Sequence, residues 1–352
     1  MIILAIESSC DETAASVVKN GCIVLSDVVH SQVELHAKWG GVVPEVASRN
    51  HLVEIIPVIE QALALANVEW CDVDAIAVTQ GPGLVGALLV GLQVAKSLAF
   101  VHQKPLIPVH HLKGHLSAVA LHSPTEPKPI TPSYPFLALV VSGGHTAIYR
   151  VESFNQITIV SNTQDDAAGE AFDKVSRMLG LGYPGGPVIE REAQGGDEST
   201  HRFTIPQIKA SPLDFSFSGL KTAVLTKIKK HGHLPEGQDQ KNLLASFQSA
   251  AVKQLVNRCI SVMKQEDIKR LSVSGGVACN ALLRERLSRA ILDRGGEVFI
   301  PPKKWCTDNA AMIGAAAYHQ ASPYLDRGAH ADDDLLNAIS SWSVDDPKSL
   351  LI

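Results

Sequence analysis

Apolar runs that flank short polar turns predict two hairpins in this chain. Residues 2–7 (IILAIE) and 14–19 (AASVVK) flank the turn SSCDET, and residues 136–142 (FLALVVS) and 147–153 (AIYRVES) flank the turn GGHT. Each hairpin is an apolar run, a turn of small and polar residues, and a second apolar run. Two copies at analogous places favour a duplicated fold with two lobes, although two unrelated hairpins would give the same pattern.

Strands and helices alternate after the second hairpin. Apolar residues recur at helical spacing from 243 to 264, and RLSVS (270–274) predicts a strand, followed by a Gly-Gly turn and a helix over 280–289. This alternation indicates an α/β fold with mostly parallel sheets and right-handed crossovers. Residues 122–135, rich in proline, serine and threonine, predict a linker between the lobes.

Composition is typical of a reduced cytoplasmic protein. The chain has 352 residues, 45% of them hydrophobic, and its six cysteines form no CxxC pair. The apolar residues 1–6 are too few for a signal sequence, because Glu7 follows directly. The apolar stretch 84–101 contains Gln93 and Lys96, which favours a buried helix over a membrane span. The net charge of −5 implies that an RNA substrate would need local basic patches or partner proteins.

Two histidines four residues apart are candidate metal ligands. On a helix, His111 and His115 share one face, so that both imidazoles can reach one ion. The same spacing also occurs between ordinary packed or surface histidines. A metalloprotease motif would need glutamate after the first histidine, where this chain has Leu112. Asp308 is a candidate third ligand, with helix N-cap as its alternative role.

Glycine turns at strand ends indicate a nucleotide site. They lie at residues 81–86, 142–144, 183–186 and 274–276. Glycine lets backbone N–H groups approach a phosphate closely, although a single Gly-Gly is usually only a turn. The acidic segment 165–173 ends at Asp173, a candidate acceptor for ribose hydroxyls. A solvated helix face with charge pairs is the alternative interpretation of that segment.

Nine motifs together resemble one family, the TsaD (Gcp or YgjD) tRNA adenosine threonylcarbamoyltransferases. The motifs occur in family order over about residues 1–321 and read IESSCDETAASVV, HAKWGGVVPEVASRNH, GPGLVGALLVG, PVHHLKGH, VVSGGHT, AGEAFDKVSRMLGLGYPGGP, FSFSGLKTAV, SGGVACNALLR and CTDNAAMIGAAA. The resemblance implies the two-lobed fold of actin, sugar kinases and Hsp70, with duplicated βαβ cores. It also implies an N-terminal lobe (1–130), a second lobe (131–296), a return to the first lobe (297–330) and a variable tail (331–352).

The resemblance also implies roles for individual residues. The implied metal ligands, for iron most often and zinc otherwise, are His111, His115 and Asp308. The implied loop around the substrate phosphate and carbamoyl group is Val140, Val141, Ser142, Gly143 and Gly144. The implied ribose contacts are Asp173 and Gly186, with Glu190 as a further acidic contact, Asn280 on the adenosine side and Glu12 near the reacting centre.

The implied reaction moves a threonylcarbamoyl group from threonylcarbamoyl-AMP to N6 of adenosine 37 in tRNAs that read codons starting with A. Family members in bacteria act with TsaB, a shorter paralogue, and TsaE, an ATPase. A metal-dependent peptidase and an actin-like ATPase or kinase are the alternatives. The missing glutamate after His111 argues against the peptidase, and the histidines suit a kinase's Mg²⁺ poorly.

The segment before Asp308 predicts a contact with tRNA. Lys303, Lys304 and Trp305 follow two prolines and lie within a few residues of the proposed ligand. Lysines contact phosphates and a tryptophan can stack on an unpaired base. Lysines that only solvate a loop, and a tryptophan in the core, are the alternative, in which case Arg284, Arg286 and Arg289 or a partner subunit would hold the RNA. The tail after residue 331 has an acidic start and no clear pattern, which is consistent with a flexible segment.

Overall fold

The computed structural model describes residues 1–205, 208–327 and 336–346 and contains two five-stranded mixed sheets. The first sheet consists of β1 (Ile2–Glu7), β2 (Glu12–Lys19), β3 (Ile23–Ser31), β4 (Ala75–Gly81) and β5 (Leu106–His110). The second consists of β6 (Phe136–Val141), β7 (Thr146–Ser153), β8 (Gln156–Asn162), β9 (Arg270–Ser274) and β10 (Glu297–Phe299). Each sheet is the centre of one lobe.

The two sheets share one topology. Their strand orders are β3-β2-β1-β4-β5 and β8-β7-β6-β9-β10. In each, the first three strands along the chain are antiparallel neighbours, and the last two join in parallel beside the first. Both predicted hairpins are therefore present, as β1–β2 and β6–β7, and the duplication that the hairpins left open is confirmed.

The helices cover the faces of both sheets. They are α1 (Val33–Ala37), α2 (Pro44–Ala66), α3 (Val85–His102), α4 (His111–Ser117), α5 (Ala168–Met178), α6 (Gly185–Glu192), α7 (Ser218–His231), α8 (Gly237–Glu266), α9 (Ala281–Leu292), α10 (Ala310–Gln320) and α11 (Ser322–Arg327). Short 3₁₀ helices include Gly276–Cys279 and Lys303–Trp305. Local sequence sets several ends: α2 starts on a proline in its first turn and stops at Asn67, whose φ of 52° is left-handed.

Helix α4 lies between the lobes and positions the site. It follows β5 directly and packs against α10, which covers one face of the first sheet. On its other side, Leu112 and Leu116 belong to the apolar cluster that includes Phe136 and Tyr149 of the second sheet. The short helix is therefore fixed by apolar packing against both lobes.

Helix α3 is long and apolar enough by composition to span a membrane, which no other helix of the described residues is. Leu92, Ala95 and Ala99 pack in the first lobe's core. Only 39% of this 18-residue helix is buried, and Phe100 and Val101 are each 68% exposed. The predicted buried helix is thus half right, because one face is core and the other is an exposed apolar surface.

The described part of the tail, residues 336–346, is packed across both lobes rather than free. Ile339 donates its N–H to the carbonyl of Gln80 at 2.9 Å, and Val344 is buried beside the second sheet. His110 Nε2 lies 3.2 Å from the carbonyl oxygen of Trp342, whose ring centroid is 4.6 Å from that of the histidine. The expectation of a flexible tail is therefore wrong for these residues, while the acidic run 332–334 lies outside the described ones.

Candidate metal and nucleotide site

Three ligand atoms converge at the start of α4. His115 Nε2 is 3.1 Å and His111 Nε2 is 3.6 Å from Asp308 Oδ1, and the three ligand atoms lie within 4.8 Å of one another. The side chain of His115 is fully buried, and neither of its ring nitrogens makes a well-formed hydrogen bond. Unpaired buried nitrogens are costly, so this set of nitrogen and oxygen donors fits a divalent cation that would satisfy them.

Neighbouring side chains leave Asp308 free to act as a ligand. Asn309, not Asp308, is the N-cap of α10, since its side-chain oxygen accepts the N–H of Met312 at 2.9 Å. The cap role that was the alternative for Asp308 is thereby excluded.

At the other end of the site, His110 Nδ1 accepts the N–H of Leu112 at 3.1 Å and so caps α4, which starts with His111.

Glu7 holds His111 from behind. Its Oε2 is 3.0 Å from His111 Nδ1, and it also accepts the hydroxyl of Thr79 at 2.5 Å. Burial raises the pKa of Glu7, but the charge of His111 together with hydrogen bonds from His111 and Ser9 leaves that pKa below its usual value. Burial lowers the pKa of His111, but Glu7 and Asp308 raise it to about 9 in the ion-free chain. A carboxylate at Nδ1 fixes the tautomer that presents Nε2 to an ion.

A cleft of about 910 Å³ opens in front of this group and is lined by both lobes. On the second-lobe side lies the turn Ser142–Gly144, where an added Cβ at Gly143 or Gly144 would meet nothing within 4 Å. Behind the turn, a Cβ at Gly169 would come within 2.6 Å of the carbonyl oxygen of Ser142. The start of α5 therefore supports the turn closely, while the turn's open side faces the cleft.

The first two residues of the predicted phosphate loop do not line the cleft. Val140 and Val141 are the last residues of β6 and are both fully buried. Their side chains belong to the clusters on opposite faces of the second sheet. They position the turn through the backbone, and Ser142, Gly143 and Gly144 are the part that a ligand can reach.

The remaining predicted contacts line the second lobe's wall of the cleft, at Asp173, Gly186, Glu190 and Asn280. Asp173 Oδ1 accepts the N–H of Gly185 at 2.6 Å, and burial raises the pKa of this carboxyl to about 6. Glu190 accepts the N–H of Ala281 at 2.8 Å. Asn280 caps α9, and its Nδ2 donates to Gln248. Two other carboxylates of the acidic segment are structural, since Asp165 accepts the N–H of Phe217 and Asp166 pairs with Lys174 and Lys221.

Glu12 lies in the first lobe's wall beside Asp11 and Cys10. Burial raises its pKa well above the usual value, and the negative charges of Asp11 and Asp308 act in the same direction. A carboxylate in such surroundings holds a proton more tightly than an exposed one does. The sequence reasoning missed Tyr183 and His145, which also line the cleft. The lone signal for them was their place in the glycine turns.

The segment before Asp308 differs from its prediction. Trp305 is only 3% exposed and packs in the core of the first lobe, so it cannot stack on a base. Lys304 bonds to Glu126 at 2.9 Å and lies over the ring of Trp305. Lys303 is exposed. Of the arginines considered instead, Arg284 is bound to backbone carbonyls and Arg286 pairs with Glu198.

Comparisons with known proteins show the family of the chain. A family model described as "TsaD: tRNA N6-adenosine threonylcarbamoyltransferase" matches residues 23–315. A protein of Trichlorobacter lovleyi named tRNA N6-adenosine threonylcarbamoyltransferase is 50% identical over 345 residues, covering 98% of this chain and 97% of its own.

Solved structures at 14% identity show the fold alone. Full-length HypF in its phosphate- and nucleotide-bound form aligns with a TM-score of 0.59 over 91% of this chain and 55% of its own. The activator of 2-hydroxyisocaproyl-CoA dehydratase from Clostridium difficile, with bound ADPNP, aligns with a TM-score of 0.52 over 93% of this chain and 98% of its own. Both have the actin-like two-lobed fold that the resemblance implied.

Proposed function

The chain belongs to the TsaD family of tRNA N6-adenosine threonylcarbamoyltransferases, and we propose that the cleft between its lobes joins threonylcarbamoyl-AMP to the N6 amine of adenosine 37 in tRNA. One observation supports this most: the His–His–Asp group, the Ser142–Gly144 turn and Asp173 all face one cleft. Its volume of about 910 Å³ accommodates a nucleotide-sized donor.

Different residues of the cleft bind different parts of the donor. The open backbone of Gly143 and Gly144 binds the phosphate, since glycine turns present N–H groups to anions. Asp173 accepts hydrogen bonds from the ribose, with Gly186 as the second ribose contact, and Asn280 binds on the adenosine side; all three line the cleft. Held in this way, the acyl carbon of the mixed anhydride lies near the histidines, and holding both reactants together lowers the entropic part of the barrier.

The metal centre uses His111, His115 and Asp308, with Glu7 orienting His111. When bound, a divalent ion there supplies positive charge to substrate oxygens; iron is the family's usual metal, and the nitrogen and oxygen donors suit iron or zinc. Asp308 and the two histidines would hold the ion, and substrate would reach it from the cleft, which His111 and Asp308 line. Neither candidate alternative, a peptidase nor an ATPase or kinase, gains support from the comparisons.

The transfer forms one bond and breaks one. N6 of adenine attacks the carbamoyl carbon, the bond from that carbon to the phosphate oxygen breaks, and AMP leaves with the electron pair. The N6 amine loses a proton, and we assign Glu12, which lines the cleft, as its acceptor, because burial raises the pKa of this carboxyl and so makes its carboxylate a stronger base than that of an exposed glutamate. No covalent enzyme intermediate is required.

Partner binding of the kind that TsaB and TsaE provide in the family has a candidate surface on the first lobe. Leu52 and Val53 of α2 are 66% and 67% exposed, and Leu89 of α3 is 40% exposed. The two helices are neighbours here, since a Cβ on Gly86 would lie 2.4 Å from Ser48 Oγ. Exposed apolar side chains on two neighbouring helices are typical of protein-binding surfaces. TsaB is the occupant we propose.

The deciding experiment is direct. Purified chain is incubated with tRNA, threonylcarbamoyl-AMP and the partner proteins, and the tRNA is digested for nucleoside analysis. We expect threonylcarbamoyladenosine in wild-type tRNA and none in tRNA carrying guanosine at position 37. Product in the absence of the chain, or equal product with the Asp308→Ala variant, contradicts the proposal. Leu52→Glu should lose co-elution with TsaB, whereas Leu325→Glu, exposed on α11, should keep it.

A further inference from the structure

Two cysteines from distant parts of the chain meet beside the cleft. Cys279 ends the 3₁₀ helix Gly276–Cys279, and Cys306 follows the 3₁₀ helix Lys303–Trp305. Both lie against the carbonyl oxygen of Lys303, which accepts the backbone N–H of Cys306 at 3.1 Å and also faces Cys279 Sγ. Each also faces a backbone carbonyl, since Cys279 Sγ lies 3.6 Å from the oxygen of Lys303 and Cys306 Sγ lies 3.5 Å from that of Pro301. The contact joins a loop of the second lobe to the segment that carries Asp308.

The two thiols differ in access. Cys279 is half-buried and lines the cleft, so that a small solute reaches it. Cys306 is fully buried in the hydrophobic cluster of the second lobe, against which Cys279 also packs. This is the arrangement of an attacking and a resolving cysteine, in which one thiol meets the oxidant and the second stands ready to close the bond.

Charge around the pair favours a reactive sulfur. Arg284 Nη2 lies 3.1 Å from Cys306 Sγ, and the guanidinium is fixed by the carbonyls of Ala278 and Pro301 at 2.6 and 2.8 Å. The hydrogen bond from Cys306 lowers the pKa of Cys279 below the usual value, and the positive charges of Arg284 and Lys303 act in the same direction. In Cys10 and Cys259, burial instead raises the pKa. Thiolate character therefore concentrates at Cys279.

We propose that Cys279 and Cys306 form a redox-sensitive pair, a modification site that a peroxide converts to a disulfide. The Cys279 thiolate attacks one oxygen of hydrogen peroxide, the O–O bond breaks, and hydroxide leaves, giving a sulfenic acid. Cys306 then attacks that sulfur, loses its proton and expels the second hydroxide. Two thiols and one peroxide become one disulfide and two waters, and a dithiol reductant reverses the change.

Each cysteine of the disulfide is close in sequence to a proposed residue of the cleft. Cys279 precedes Asn280, which caps α9, and Cys306 lies two residues before Asp308. An S–S bond of about 2.05 Å draws the two backbone segments together, because each sulfur must leave the backbone carbonyl that it now faces. Small displacements of positioning residues have large effects on rate, and we expect a loss of about tenfold or more in transfer. This consequence rests on the proposed function, whereas the disulfide itself does not.

Peptide mapping tests the pair on the full chain. Reduced protein is treated with hydrogen peroxide, alkylated and digested without reductant. We expect a disulfide-linked peptide pair that contains Cys279 and Cys306, with the other four cysteines alkylated, and recovery of both thiols after dithiothreitol. Failure to find that pair while Cys279 is oxidised to sulfinic acid, or is joined to a different cysteine, overturns the proposal, as does full alkylation of both.

Variants separate the pair from general oxidation. Cys279→Ser and Cys306→Ser should each lose the linked peptide, whereas Cys71→Ser, an exposed cysteine far along the first lobe, should keep it. If one serine variant unfolds, the peptide map of the wild-type chain still decides. In the transfer assay, peroxide should reversibly lower the activity of the wild type. It should not change the activity of the Cys279→Ser variant. If the disulfide forms but peroxide does not lower the transfer activity of the wild type, the result counts against the proposed function of the cleft and not against the cysteine pair.

Discussion

Glu7 Oε2 lies 3.0 Å from His111 Nδ1, and both side chains are buried. The carboxylate comes from the end of β1 and the imidazole from the start of α4, which follows β5 on the other side of β4. This contact fixes the ring so that Nε2 faces Asp308 and His115. The proposed metal site therefore depends on Glu7, which is not adjacent in sequence to any of the three ligands.

Replacing Glu7 by glutamine tests this support. Glu7→Gln keeps the size of the side chain but removes the charge that holds His111, and we expect metal affinity to fall about 10- to 100-fold. The measurement is a competition titration with a metal chelator. Glu60→Gln, an exposed change on α2, is the matched control and should retain full affinity. Equal affinity in both variants would remove Glu7 from the site.

His115→Ala removes a proposed ligand. We expect loss of the metal and of transfer activity with the fold kept, because His115 makes no well-formed hydrogen bond that its removal would break. Elemental analysis and circular dichroism are the measurements. His319→Ala, an exposed histidine at the end of α10, should keep its metal. Full occupancy in His115→Ala would show that the ion is held elsewhere.

Asp173 is expected to bind the donor's ribose. Asp173→Ala removes charge-assisted hydrogen bonds and should weaken an AMP analogue by about 2–4 kcal/mol in calorimetry. Part of any loss reflects the freed N–H of Gly185, so Asp173→Asn, which keeps an acceptor oxygen there, is the sharper variant. Unchanged affinity in Asp173→Asn and Asp173→Ala alike would contradict the role.

The same carboxyl predicts a pH dependence. Burial raises the pKa of Asp173 from 3.8 to about 6, so the folded chain binds more protons than the unfolded chain between these values. Stability from this group therefore falls as pH rises through that window, and the cost is complete above it. We expect Asp173→Asn to be at least as stable as wild type at pH 7.5 by thermal melting. AMP-analogue affinity in wild type should rise with pH through about 6, and in Asp173→Asn it should not.

For tRNA, the structure narrows the prediction to one lysine. Lys303 is exposed, while Lys304 is paired with Glu126. With partners present, Lys303→Ala should weaken tRNA binding and reduce the salt slope by about one unit, since one phosphate contact is lost. Lys304→Ala should change the slope less. If Lys303→Ala has wild-type affinity and slope, the RNA is held by another part of the chain or by a partner.

The packed tail should contribute to stability. Trp342 is 9% exposed against His110, and its truncation to alanine leaves a cavity that we expect to cost about 3 kcal/mol of unfolding free energy. Denaturant unfolding measures this directly. Trp39→Ala, whose side chain is 44% exposed, is the control and should cost far less. A stable Trp342→Ala variant would show that residues 336–346 are dispensable for packing.

The sequence by itself determined the main elements and the candidate residues of the site. Apolar runs around short polar turns located β1, β2, β6 and β7, because a hairpin pattern depends on neighbours in the chain. The i, i+4 histidines gave two candidate metal ligands for a similar reason, since one helical turn places them on one face. The long ordered motifs then identified the family, which the comparisons confirm.

Tertiary structure decided everything that depends on residues far apart in the chain. The sequence pattern alone left two roles open for Asp308, helix N-cap and metal ligand. Only the structure excluded the first, because it shows that Asn309 caps α10. The burial of Trp305 and the packing of Trp342 were equally hidden, because an aromatic residue in a polar segment reads alike whether it covers a core or faces solvent. The contact of Glu7 with His111 and that of Cys279 with Cys306 exist because separate strands and turns end at one cleft, and no local periodicity encodes which chain ends meet there.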